Sequence, residues 1–172
     1  MSTFAKNSAA SRWFAASAGA LAIAMAAGLA APSASATECL LDTNNNGVAD
    51  AADTDGGATS TGTLDSLACG NVASAIGAKS VAVGNGARAT MTSATAVGDG
   101  SLASGVESSA FGVAAFASGA NASSLGSNAQ SAGVRSVAVG ANSLARAYST
   151  VSIGDGSQAL GDSATAVGVA AS

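Results

Sequence analysis

Histidine is absent from this chain, proline occurs once, aromatic residues make up 3% and charged residues 9%. Without His the chain lacks the commonest general base near neutral pH and the commonest metal ligand. A formal net charge of −4 and the lack of any basic run exclude the electrostatic footprint of a nucleic-acid binder. Bulky apolar side chains are scarce too. Hydrophobic residues reach 48%, but most of that share is Ala, and Gly accounts for 22 of 172 residues. At about 25 cal/mol per Å² of buried apolar area, such side chains each contribute little. A lone core of ordinary type is therefore not expected, and oligomerisation, metal or disulfides are the usual remedies.

The long apolar run lies at the N-terminus. Met1–Arg12 is mostly polar and carries Lys6 and Arg12, Trp13–Leu29 is apolar, and Ala34-x-Ala36 offers a small-residue cleavage site. Positive, apolar and small-residue regions in this order predict a secretory signal peptide over 1–36. A short transmembrane anchor is the alternative. Cleavage would leave Thr37–Ser172, with no further hydrophobic span and a net charge of −6. Export gives meaning to the two cysteines, Cys39 and Cys69, because an even count in an oxidising compartment favours a disulfide. An intrachain bridge would close a loop of about 30 residues, worth roughly 3–4 kcal/mol. An interchain bridge or two free thiols are the alternatives.

What the chain has in abundance is repetition. From Ser66 to Ser172 it repeats every 14 residues, in seven full units and a partial eighth. The fifth position is Gly in all eight units, from Gly70 to Gly168, and the fourth is always apolar. Positions three, eight and ten are always Ala or Ser, and position twelve is Gly except at Met91 and Ala147. Gly at seven-residue spacing argues against two heptads of coiled coil, costing about 1 kcal/mol each in a helix interior. Collagen would need Gly at every third residue.

Stretches such as Ser80-Val-Ala-Val83 and Thr150-Val-Ser-Ile153 alternate with period two and run into Gly turns. Each unit thus reads as strand, turn, strand, turn, and the units together as an all-β solenoid. Position four is expected to point into an apolar seam and position three to the opposite face. Positions eight and ten are expected to be small where two layers approach, and Gly to supply positive φ at the corners. Seven and a half coils at about 4.8 Å would make a rod of roughly 36 Å. One coil holds too little bulk to be stable alone, so stacking and association with other chains must supply the rest.

The recurring Ser-Val-Ala-Val-Gly-x-x-Ser/Ala-x-Ala-x-Gly, clearest in Ser80–Ala89 and Ser136–Ala145, resembles the head repeat of YadA-like trimeric autotransporter adhesins. The resemblance implies a left-handed parallel β-roll, three chains side by side as a homotrimer, and display at a bacterial cell surface or outer membrane. A heptad stalk and a membrane β-barrel, which it also implies, are not among these residues; a truncated product or a secreted, extracellular head are the expectations.

Between Thr37 and Asp65 lie six acidic residues and no basic one. Asp42, Asn44, Asn46, Val48, Asp50 and Asp53 fall at calcium-loop positions one, three, five, seven, nine and twelve, with Gly47 at the sharp turn. Asp53 reaches less far than the Glu usual at position twelve. The loop looks more like dockerin or thrombospondin type-3 loops than like a paired EF-hand, and a solvated turn-rich linker is the alternative. Thr54–Gly57 reads as flexible linker, and a Cys39–Cys69 bridge would staple the 37–65 segment onto the 66–172 repeats as a cap.

Enzyme activity is not expected, since no nucleophile–base pair and no phosphate loop is present, and the Ser residues recur at structural positions. An adhesin is: weak contacts to a repetitive matrix or host-surface ligand multiply across three chains. Outward positions Arg88, Leu102, Phe116, Gln130 and Leu144, with Arg135, Arg146 and Tyr148 nearby, are the candidate ligand face. Subunit packing is the plainer role for Phe116 and Tyr148. A surface-layer or ice-binding solenoid is the alternative function, weakened because Thr95 and Thr165 share a column only at distant coils.

The acidic loop yields a direct test. Millimolar calcium is expected to release heat and raise the melting temperature, and Asp42→Ala to abolish both, in calorimetry with and without chelator. No heat and an unchanged transition would return the segment to a linker.

Overall fold

The computed structural model describes residues 39, 54–61 and 65–172, all within the unit Ala36–Ser172. The expected signal peptide and the candidate calcium ligands Asp42 to Asp53 lie outside the described residues.

Among the described residues every regular element is a short strand. Positions two to four of successive units form β2 (Leu67–Cys69), β4 (Val81–Val83), β6 (Thr95–Val97), β8 (Ser109–Phe111), β10 (Ser123–Leu125), β12 (Val137–Val139), β14 (Val151–Ile153) and β16 (Thr165–Val167). Positions nine and ten form β3 (Ser74–Ala75), β5 (Arg88–Ala89), β7 (Leu102–Ala103), β9 (Phe116–Ala117), β11 (Gln130–Ser131), β13 (Leu144–Ala145) and β15 (Gln158–Ala159), with β1 (Thr59–Ser60) before them. Even-numbered strands make one parallel sheet and odd-numbered strands another, each of eight strands in sequence order. Pairing is in register at the repeat period: Val81 meets Thr95, and Arg88 meets Leu102. The result is a parallel β-solenoid of about eight turns.

The interior differs from the expected one. Positions one, three, eight and ten point inward, as Ala68, Ala82, Ala89 and Ser101 do at 0% exposure, and among the described residues no fully buried side chain is larger than Thr150. Position four, expected to point into an interior seam, points out of the coil together with position two. Leu125 is 53% exposed and Val167 65%. Two sheets so close that Ala and Ser fill the gap leave no room for Val or Phe between them. The alternation was right; bulk, not hydropathy, decides which of its two faces turns inward.

Buried hydroxyls are matched locally. Ser136 Oγ donates to Gly133 O at 2.6 Å and Ser143 Oγ to Gly140 O at 2.9 Å, each closing the turn it follows. In the middle of the roll Ser124 and Ser131 bond to each other at 2.6 Å. No buried side-chain polar atom among the described residues lacks a partner. An orphaned hydroxyl there would cost about 1–3 kcal/mol, so this matching is what permits Ser in the core.

Both corners are four-residue turns whose third residue is left-handed. Asn128 (φ 55°) and Arg135 (φ 58°) stand at positions seven and fourteen, and the same conformation recurs in other units with Lys, Ser, Glu and even Val72 (φ 50°). Coil-to-coil bonds hold these residues, as in Asn128 N to Val113 O at 2.9 Å and Arg135 N to Ala120 O at 2.9 Å. The two conserved glycine columns within the chain serve different ends. Gly126 needs both its φ of 137° and its missing Cβ, which would lie 2.6 Å from Gly140 O. At position twelve, where positive φ was expected, Gly133 has none; it is required because a Cβ would overlap the Ala147 backbone. Where position twelve is Gly105, its amide shares Ala117 O with Ser104 N, at 3.3 and 2.8 Å. The amides of Met91 and Ala147, which depart from the column, make no such bond.

Thr54–Gly57, expected as flexible linker, instead opens a further half coil. Gly57 N donates to Asp55 Oδ1 at 2.8 Å, Val72 N to Gly56 O at 2.9 Å, and Thr59 pairs with Ser74. The offset there is 15 residues rather than 14, so the 14-residue period of the sequence does not extend to it. At the same end Cys39 is disulfide-bonded to Cys69, their Cα atoms 4.7 Å apart, and Cys39 N donates to Ala68 O at 3.2 Å along the edge of β2.

These contacts set apart glycines of two kinds. Gly126→Val is expected to lower the thermal transition by the equivalent of about 1–3 kcal/mol or more while keeping a β-type circular dichroism spectrum. Gly100 (φ 63°) has no atom within 4 Å of a built Cβ. Gly100→Asn, which places there the residue that Asn128 and Asn142 already are, should shift stability by under ~0.5 kcal/mol. Equal destabilisation by both would contradict the assigned roles.

Candidate functional site

The solenoid presents two outward faces and two corners, and each repeat position becomes a vertical column. On the even-numbered sheet, positions two and four give a largely apolar face. Phe111 and Ile153 are each 39% exposed there, Phe111 beside Val97 and Leu125 and Ile153 beside Val139 and Val167. On the odd-numbered sheet, position nine forms the column expected as the ligand face. Register places Arg88 beside Leu102, Leu102 beside Phe116, Phe116 beside Gln130 and Gln130 beside Leu144. Leu102, Phe116 and Leu144 are half-buried by their neighbours, and Arg88 and Gln130 are exposed.

Arg135 and Tyr148 sit at the corner of positions thirteen and fourteen, and Arg146 on the outward position eleven that leads into it. Arg135 Nη1 donates to Tyr148 Oη at 2.9 Å, with its guanidinium carbon 6.0 Å from the ring centroid. Tyr148 N in turn donates to Asp162 Oδ1 at 3.1 Å. The structure thus divides the eight candidates into a column of five along one face, the bonded pair Arg135 and Tyr148 at its corner, and Arg146 on the outward position that leads into that corner.

Residues fourteen apart meet directly, which sequence reading overlooked. Asn121 Nδ2 donates to Glu107 Oε2 at 2.7 Å and Asn85 Nδ2 to Asp99 Oδ1 at 3.0 Å. Asp162 was missed for the same reason, although the 14-residue period names it as the neighbour of Tyr148. None of these side chains forms a metal-binding cluster; among the described residues no three His, Cys, Asp or Glu come together. A concavity whose lining includes Gln158, Leu160, Ala164, Thr165 and Ser172 contains no cationic, carboxylate or thiol side chain. The geometry offers columns of repeated surface groups rather than a pocket with convergent acid–base chemistry.

No curated protein matches the chain. The family model for the YadA head domain repeat (2 copies) matches residues 75–101, 89–115, 103–129, 117–143 and 145–171. Successive matches advance by one coil, or by two at the last, so the family's unit and the structural coil coincide. With matches running through most of the solenoid, the chain belongs to the YadA head domain repeat family.

Proposed function

We propose that the chain is the head of a trimeric bacterial adhesin, which binds matrix or host-surface ligands without catalysis. The family is one of surface-exposed bacterial adhesins. The observation that carries the reading is the mismatch between the two sides of the even-numbered sheet. Its inner side buries nothing larger than Thr, while its outer side carries Val83, Val97, Phe111, Leu125, Val139 and Ile153 in one unbroken column. A continuous apolar stripe of this kind is the mark of an interaction surface. Three copies meeting on that face would enclose the stripe and supply the apolar burial that one coil lacks. The odd-numbered face and the adjoining corner then stay available for ligand, and a repeated surface shown three times suits repetitive ligands bound weakly at each point.

Two measurements test this. The exported chain should sediment as a trimer, and Val139→Asp should dissociate it, since an unpaired carboxylate in the enclosed stripe would cost about 3 kcal/mol or more per copy. Beads coated with the trimer should adhere to matrix-coated surfaces or cultured cells. A well-folded monomer at micromolar concentration would refute the assembly, and beads that adhere to neither surface would refute the adhesive role.

A further inference from the structure

The cations of the repeats are confined to one side of the coil, which they share with Glu107 and Asp162. Lys79, Arg88, Arg135 and Arg146 all stand at positions nine to fourteen, whereas the turn at positions five to eight carries Asp99 and Asp155 and no cation. One of the four cations, Arg135, meets the chain's one tyrosine. Arg135 is held by Tyr148 Oη rather than by a carboxylate. The Arg146 guanidinium, two residues before the tyrosine, has no partner among the described residues. All three side chains are exposed, and Tyr148 is 47% so. The backbone beneath them is particular to this coil: Ala147 replaces the glycine of its column, and Asp162 takes up the Tyr148 amide.

From this arrangement we propose that Arg135, Arg146 and Tyr148 form a binding site for the anionic groups of an acidic polysaccharide. A guanidinium presents a planar fork that matches a sulfate or a carboxylate through two parallel hydrogen bonds. Here one such fork is bonded to a phenol whose flat face suits the C–H face of a sugar, and a second stands at outward position eleven of the same coil as that phenol. The bond from Arg135 to Tyr148 removes rotamer freedom before ligand arrives, which lowers the cost of binding. Two arginines on an otherwise acidic chain make no basic stripe of the kind nucleic acid requires. The inference rests on the reading of the chain as an adhesive head, because a polysaccharide repeats its acidic groups and so engages several copies of one weak site.

The test uses the exported chain against heparin, hyaluronan and neutral dextran. Heparin or hyaluronan should bind and dextran should not, with affinity falling as salt screens the charges. Binding of heparin alone assigns the site to sulfate; binding of hyaluronan assigns it to carboxylate. Arg135→Gln and Arg146→Gln should each weaken binding roughly tenfold, the loss expected for one charge-assisted contact. Lys79→Gln, at the same repeat position as Arg135 but four coils away, should leave it unchanged. Failure of both acidic polymers to bind at low salt, or undiminished binding by the doubly substituted chain, overturns the site. A changed sedimentation coefficient in Arg146→Gln also overturns it, by assigning that arginine to a subunit contact. Beads that still adhere while neither polymer binds overturn the site alone and leave the adhesive head standing.

Discussion

The narrow gap between the two sheets governs the rest of this molecule. Strands of two and three residues joined by connections of four and five residues bring the sheets so close that Ala and Ser fill the space between them. That closeness expels every larger apolar side chain to the outside and demands Gly wherever one coil's backbone rests on the next, as at Gly126 and Gly133. Burial of Ala methyl groups gives each coil little hydrophobic stabilisation. The backbone bonds that join each coil to its neighbours, and an apolar outer face in search of a cover, must carry more of the load than in an ordinary domain. Family membership and surface chemistry thus lead back to one steric limit.

A polar interior is part of the same solution. Ser is nearly isosteric with Ala plus one oxygen, and its hydroxyl finds an acceptor three residues back in the turn it closes, as Ser80 does at Gly77 O at 2.6 Å. Where two inward Ser residues face each other, as Ser152 and Ser157 do at 2.6 Å, they satisfy one another. A Val in those places would bring a second methyl group that the gap cannot hold. The Ala/Ser alternation at the inward positions therefore reports the width of the gap rather than its polarity.

The period, the β class and the glycine at position five were legible because each follows from local chemistry repeated many times. The side on which position four stands was not. Ala82 and Val83 are both apolar, so hydropathy alone favours the larger one inside, and only the spacing of the sheets reverses the choice. The glycine of position twelve misled for a related reason: Gly133 is there for the neighbouring coil, and a single unit does not reveal what its neighbour's carbonyl occupies. The half coil at Thr54–Thr59 escaped notice because its offset of 15 falls outside the period. The candidate column from Arg88 to Leu144 was legible from register alone. The cluster around Tyr148 was legible only in part, since its bond to Asp162 appears once residues fourteen apart are treated as neighbours.

The two interruptions in the position-twelve column bear on how the rod would behave under tension. Its backbone hydrogen bonds run between coils, along the long axis, so a pull from end to end loads the junctions in series and each must transmit the whole force. Most junctions of the repeat carry an additional amide at position twelve, as Gly105 and Gly119 do; those above Met91 and Ala147 do not. At each of these two a side chain crosses instead, Asp99 taking up Asn85 and Asp162 the Tyr148 amide. A pull from end to end therefore meets no junction stripped of its extra bond.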